Sequence, residues 1–119
     1  MGMDRKALIR QYKETRRPAG VFRVRNTANG KSLVGTSVDL PSMLNRQRAQ
    51  LRMGVHDNRV LQKDWNTQGP DAFVFEVLDE LKPPEAADWD PRDELRVLEK
   101  LWLEKLTPFG DHGYNPEPK

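Results

Sequence analysis

The stretch from Gly20 to Ser37 restricts the fold most. Residues 20–26, Gly-Val-Phe-Arg-Val-Arg-Asn, put Phe22 and Val24 on one side and Arg23 and Arg25 on the other. That is the period of a half-buried strand. Asn29-Gly30 is a turn dipeptide, and residues 32–37, Ser-Leu-Val-Gly-Thr-Ser, read as a second short strand. Strand, short turn and strand make a hairpin.

The rest of the chain must be fitted around that hairpin. Asp39 is placed to cap a helix with Pro41 in its first turn, running to Met53 and ending at Gly54. Leu40, Met43, Leu44, Gln47 and Leu51 share one stripe of it. A second helix over about 57–67 uses Val60, Leu61 and Trp65 as anchors and stops at Gly69-Pro70. Residues 72–78, Ala-Phe-Val-Phe-Glu-Val-Leu, carry apolar side chains on both faces, which predicts a central strand covered on both sides. Residues 82–91 form an acidic, proline-rich loop, and a last helix spans about Arg92 to Leu106. Upstream, residues 1–17 read as an arm with a short amphipathic helix from Asp4 to Thr15, ended by Arg16-Arg17-Pro18. Downstream, Thr107-Pro108-Phe109-Gly110 leads into an irregular tail. The order is β-β-α-α-β-α: a small three-stranded sheet with helices packed on it, of the α+β class.

Composition excludes several kinds of chemistry. The chain has 119 residues, one domain's length, and no cysteine, so a disulfide-linked partner, a thiolate metal site and a cysteine nucleophile are all ruled out. His56 and His112 are the only histidines, too few for a histidine-built metal centre. No run approaches the roughly 18 apolar residues of a membrane span. The first residues lack the apolar core of a signal peptide, so no membrane partner and a cytoplasmic address are expected. Residues 1–63 carry fourteen Lys/Arg against four Asp/Glu, whereas residues 64–119 carry six against fourteen. The basic half can face phosphate, or the two halves can attract each other.

One carboxylate sits where an apolar residue is expected. With Leu95 at 0° on the last helix, Leu98 falls near about −60°, Trp102 near −20°, Leu106 near +20° and Glu99 near +40°, inside the apolar stripe. Glu104 falls near about 180°, the solvent side. A carboxylate on an apolar face is costly unless it is paired, hydrogen-bonded or metal-bound. Glu99 is therefore either a functional site, half of a buried salt bridge, or a stripe-edge residue that reaches water. Gly54-Val55-His56-Asp57-Asn58, between two helices, reads as a turn with an Asp or Asn cap, while His56 could titrate near neutrality.

Taken in order, these segments resemble the GIY-YIG nuclease domain over about residues 18–115, leaving 116–119 as a tail. Gly20-Val21-Phe22 stands where that family has Gly-Ile-Tyr. Leu33-Val34-Gly35-Thr36-Ser37 stands where it has Tyr-Ile-Gly-Ser-Ser. Glu99-Lys100-Leu101-Trp102 and Gly113-Tyr114-Asn115 complete the pattern. The resemblance implies a three-stranded antiparallel sheet flanked by helices and cleavage of nucleic acid, DNA foremost, with one divalent metal, Mg²⁺ or Mn²⁺. It implies Glu99 as the metal ligand, Asn115 as a residue that helps hold the site, and a cleft joining Glu99 to Phe22, Leu33 and Asn115. Phosphate contacts are expected from Arg23, Arg25, Lys31, Arg46 and Arg48.

The departures are chemical. Phe22 and Leu33 lack the hydroxyls of the family's two motif tyrosines, Met43 replaces its helix arginine, and Gln47 replaces a common histidine one turn later. General acid–base help is worth about 10²–10⁴ in rate, so the resemblance leaves two readings: a weak or divergent endonuclease, or a nucleic-acid-binding module that does not cut. Arg46 is a candidate to replace the arginine. His56, Tyr12 and Tyr114 are candidates to replace the base.

Overall fold

The computed structural model describes residues 17–82 and 89–118. Most of the arm, with its predicted helix and Tyr12, lies outside the described residues, as does the middle of the acidic loop. The hairpin forms as its alternation requires. Strand β1 (Gly20–Asn26) pairs antiparallel with β2 (Ser32–Ser37), Phe22 facing Gly35 and Val24 facing Leu33. Helix α1 (Leu40–Met53) starts where Asp39 accepts the Ser42 N–H and ends at Gly54. Helix α2 (Arg59–Gln68) is capped by Asn58, whose side chain accepts the Leu61 N–H. Strand β3 (Phe73–Glu80) and helix α3 (Arg92–Leu106) complete the order.

The sheet order is β2-β1-β3, all antiparallel. The central strand is therefore β1, and β3, expected at the centre, is an edge. Its apolar run misleads because Val74 and Val77 stay substantially exposed, at 36% and 42%. The charged strand can occupy the middle because one carboxylate crosses to meet both of its arginines. Arg23 Nε donates to Glu76 Oε2 at 2.6 Å and Arg25 to Oε1 at 3.3 Å.

Register assigns the faces. Phe22, Val24, Leu33, Phe73 and Phe75 share one side, packed against Leu40, Leu51, Leu61 and Trp65 of α1 and α2 and against Tyr114. Trp65 tilts onto Phe73 with ring centroids 5.2 Å apart, a geometry that adds to plain area burial. Val60, read as an anchor, is 54% exposed, so the apolar anchors of α2 are Leu61 and Trp65, with Gln62 buried beside them. Val21 and Val34 face the other way. Helix α3 lies against β2 and β1, and its Trp102 indole donates to Asp79 at 3.2 Å, the residue paired with Val21. The result is three layers, with α1 and α2 on one side of the sheet and α3 on the other.

A bulge between Val21 and Phe22 brings β3 hard against the start of β1. A Cβ placed on Gly20 would stand 2.0 Å from the Asp79 carbonyl oxygen. Since that neighbour is backbone and cannot swing away, Gly20→Ala should cost about 1–3 kcal/mol, read as a lower urea midpoint at unchanged slope.

Candidate functional site

Glu99 lies midway along α3, half-buried. It makes no hydrogen bond or ion pair among the described residues. It lines a cleft of about 420 Å³ whose other walls include Arg96, Lys100 and Leu103 from the same helix and Phe109 and Pro118 from the C-terminal segment. The closed salt bridge that the sequence allowed is not formed. Phe22, Leu33 and Asn115, expected to share it, are not among the walls of this cleft.

The C-terminal segment that closes the cleft is ordered by pairing, not left as an irregular tail. Helix α3 ends at Thr107 in the left-handed region, φ 42°, and Pro108 is fully buried. The chain then returns: Asn115 N–H donates to the Pro108 carbonyl at 3.0 Å and Tyr114 N–H to the Ser32 carbonyl at 2.8 Å. The Asn115 side chain completes the join. Its Oδ1 accepts the Val34 N–H and its Nδ2 donates to the Val34 carbonyl, both at 2.8 Å. Its amide is used at both ends on the β2 edge, clamping the C-terminal segment to the sheet.

Tyr114 is buried in the core. Its hydroxyl donates to Asp64 Oδ2 at 2.7 Å and accepts from Asn26 Nδ2 at 3.0 Å. Burial, opposed by the hydrogen bond from Asn26, pushes its pKa up to about 12. A phenol that keeps its proton and gives it to a carboxylate cannot serve as a general base.

His56 is likewise committed. Nδ1 accepts the Asn58 N–H at 3.0 Å, so the neutral ring carries its proton on Nε2, which faces Gln47 Oε1. The backbone N–H of His56 donates to the buried Gln62 side chain at 3.0 Å. The ring therefore offers no free lone pair to a water. In place of the spare base considered from sequence, His56 ties the α1–α2 turn to α1, through the Gln47 that stands in for a family histidine.

The hallmark positions are equally plain. Phe22 is 4% exposed and its ring lies over Gly35, where a Cβ would come within 2.7 Å of Cζ. Leu33 and Met43 pack against the same core. Among the cations, Arg23 and Arg25 share Glu76, and Arg48 lies 4.5 Å from the Phe75 ring centroid. Arg46 is exposed and Lys31 half-buried, and neither has an ion-pair partner among the described residues. Sequence reasoning missed the Asn26–Tyr114–Asp64 join. Its one available signal was an aromatic between Gly113 and Asn115 in an otherwise polar tail.

Intron-associated endonuclease 1 of Enterobacteria phage T4 is 29% identical over 97 residues, 82% of this chain. The catalytic domain of homing endonuclease I-TevI superposes with a TM-score of 0.69 at 26% identity, over 84% of this chain and 99% of that one. A glutamate-to-alanine mutant of the I-TevI catalytic domain gives 0.66 at 26%, over 82% and 92%. The chain is homologous by sequence and by fold to the I-TevI catalytic domain, which supports a GIY-YIG nuclease domain. The match covers 36% of the phage protein's own length. No family model matches the chain.

Two outcomes follow from these side-chain environments. Phe22→Tyr places a hydroxyl in closed core and should cost about 1–3 kcal/mol, seen as a lower melting temperature, where an open cleft would leave it unchanged. Burial lowers the His56 pKa from 6.5, with Asp57 opposing. Below about pH 6.5 the unfolded chain therefore binds more protons than the folded one. Stability from this group is complete above that pH and falls as pH drops, by at most about 1.4 kcal/mol per unit. Urea midpoints between pH 5 and 7.5 should show that slope in the parent and lose it in His56→Asn.

Proposed function

We propose that the chain is a divalent-metal-dependent endonuclease that hydrolyses DNA phosphodiester bonds, with Glu99 as its metal ligand. The observation that carries this reading is the state of Glu99: a half-buried carboxylate without a partner among the described residues, lining a cleft, in a fold shared with an endonuclease catalytic domain. Such a group favours a cation beside it. Among the described residues no three His, Asp or Glu side chains cluster to cage a metal. The donor set that fits is one carboxylate completed by waters and phosphate oxygens, which suits Mg²⁺ or Mn²⁺. When bound, such an ion supplies Lewis-acid stabilisation of the phosphate charge and the leaving oxygen.

The chain's own residues do the rest. Asn115 fixes the β2 edge through Val34. Lys31 and Arg46, without ion pairs among the described residues, supply charge for the DNA backbone. Among the described residues, which do not include Tyr12, the attacking water finds no strong base: Phe22 and Leu33 lack hydroxyls, Tyr114 keeps its proton, and His56 is occupied. Cleavage on this reading is slow. The same absence favours a second reading, a family member that binds DNA without cutting it. No helix among the described residues is long and apolar enough to cross a membrane.

The test incubates purified protein with labelled single- and double-stranded DNA and Mg²⁺ or Mn²⁺. Cleavage should be weak and should fall at least about 100-fold in Glu99→Ala, the loss of several kcal/mol of charge stabilisation. Binding should weaken steeply as salt rises. Cutting that persists in Glu99→Ala overturns the metal assignment. Salt-dependent binding without cutting supports the second reading, and no binding at low salt overturns both.

A further inference from the structure

The walls of the cleft beside Glu99 specify more than a metal. Leu103, Phe109 and Pro118 give it an apolar lining with one aromatic ring, while Arg96 and Lys100 stand on the same stretch of α3 as Glu99, and Thr107 and the exposed Glu104 complete the wall. Its volume of about 420 Å³ lies in the range of small-molecule sites, which begins at roughly 300 Å³. Both cations are exposed. Lys100 has no ion-pair partner among the described residues, and Arg96 meets only Asp93, in a pair 79% and 93% exposed, which solvent screens heavily. A lone metal with its waters needs no apolar wall. A bare phosphate needs none either. The occupant that uses both the apolar wall and the two cations is a flat, apolar-faced ring joined to an anion.

We infer that this cleft is a nucleotide pocket, in which a base stacks on Phe109 between Leu103 and Pro118 and its phosphate lies toward Arg96 and Lys100. Stacking on an aromatic ring tolerates any base, because every base has a π-face. The cleft would thus hold a nucleotide without selecting sequence. The position of Phe109 is set by the returning chain: its backbone bridges to Asn115, and Asn115 is clamped to Val34. The inference rests on the endonuclease reading only for its purpose, since the pocket itself can be tested without metal or cleavage.

The experiment titrates the full chain with deoxyadenosine monophosphate in metal-free buffer and follows amide shifts by NMR, with ribose 5-phosphate as the control lacking a base. The expected result is saturable shifts at Phe109 and Leu103 with the nucleotide and much weaker ones with the control. Affinity should fall about tenfold in Phe109→Ala, the scale of one lost stacking contact. Phe109→Leu keeps apolar volume and should melt like the parent while still binding several-fold more weakly. Equal binding of ribose 5-phosphate, no shifts at these residues, or unchanged affinity in a folded Phe109→Leu variant would overturn the pocket. Nucleotide binding at Phe109 with no DNA cleavage by the same preparation keeps the pocket and removes the nuclease reading. Cleavage lost in Glu99→Ala, with no nucleotide binding, does the reverse.

Discussion

The hydroxyl of Tyr114 holds together segments that are far apart in the chain. It joins the end of β1 through Asn26 and the middle of α2 through Asp64. Asn29 of the hairpin turn reaches the same Asp64 oxygen. The carbonyl of Tyr114 accepts from Asn58, the residue that caps α2. The Asn26 amide and the Tyr114 hydroxyl are buried and satisfied by this join, and stranding either would cost about 1–3 kcal/mol. With Tyr114 fixed, the next residue lands on Val34, and the loop from Thr107 is fixed at its far end. The geometry of the Glu99 cleft therefore depends on a tyrosine that does not line it.

Charge is arranged differently from what the two halves of the sequence imply. The basic half supplies Arg23 and Arg25 to the centre of the sheet, and the acidic half supplies the Glu76 that joins them. Some of the basic excess is thus consumed inside the fold. What is left for an anion is carried by side chains such as Arg46 and Lys31 and by Arg96 and Lys100 on α3. The mutual attraction that the charge pattern allowed is realised in the Arg23–Glu76–Arg25 join.

Local periodicity made most of the architecture legible. The bounds of β1, β2, α1 and α3 follow from alternation, the Asp39 cap, Gly54 and the apolar stripe of α3. The position of β3 was not legible, because apolar residues on both faces describe side-chain chemistry and say nothing about which strands lie on either side. Glu99 stood out because a helix has a fixed angular step. Its cleft did not, because one wall comes from Phe109 and Pro118, whose placement depends on pairings with Ser32 and Val34 more than seventy residues away. His56 was ambiguous for a related reason. Sequence shows that an imidazole is present, whereas its task is decided by the groups that meet its two nitrogens.

The two margins of the sheet are unlike. Along β2, Gly113, Tyr114 and the Asn115 amide occupy the backbone groups at Ser32 and Val34, so that margin is already spoken for. Along β3, the outward row of peptide groups has no strand beside it among the described residues, and an uncovered edge is a template for another chain. A strand arriving from outside would therefore meet a molecule with one closed side and one open one. It could extend the sheet only from β3, at the opposite margin from the strand that the C-terminal segment seals.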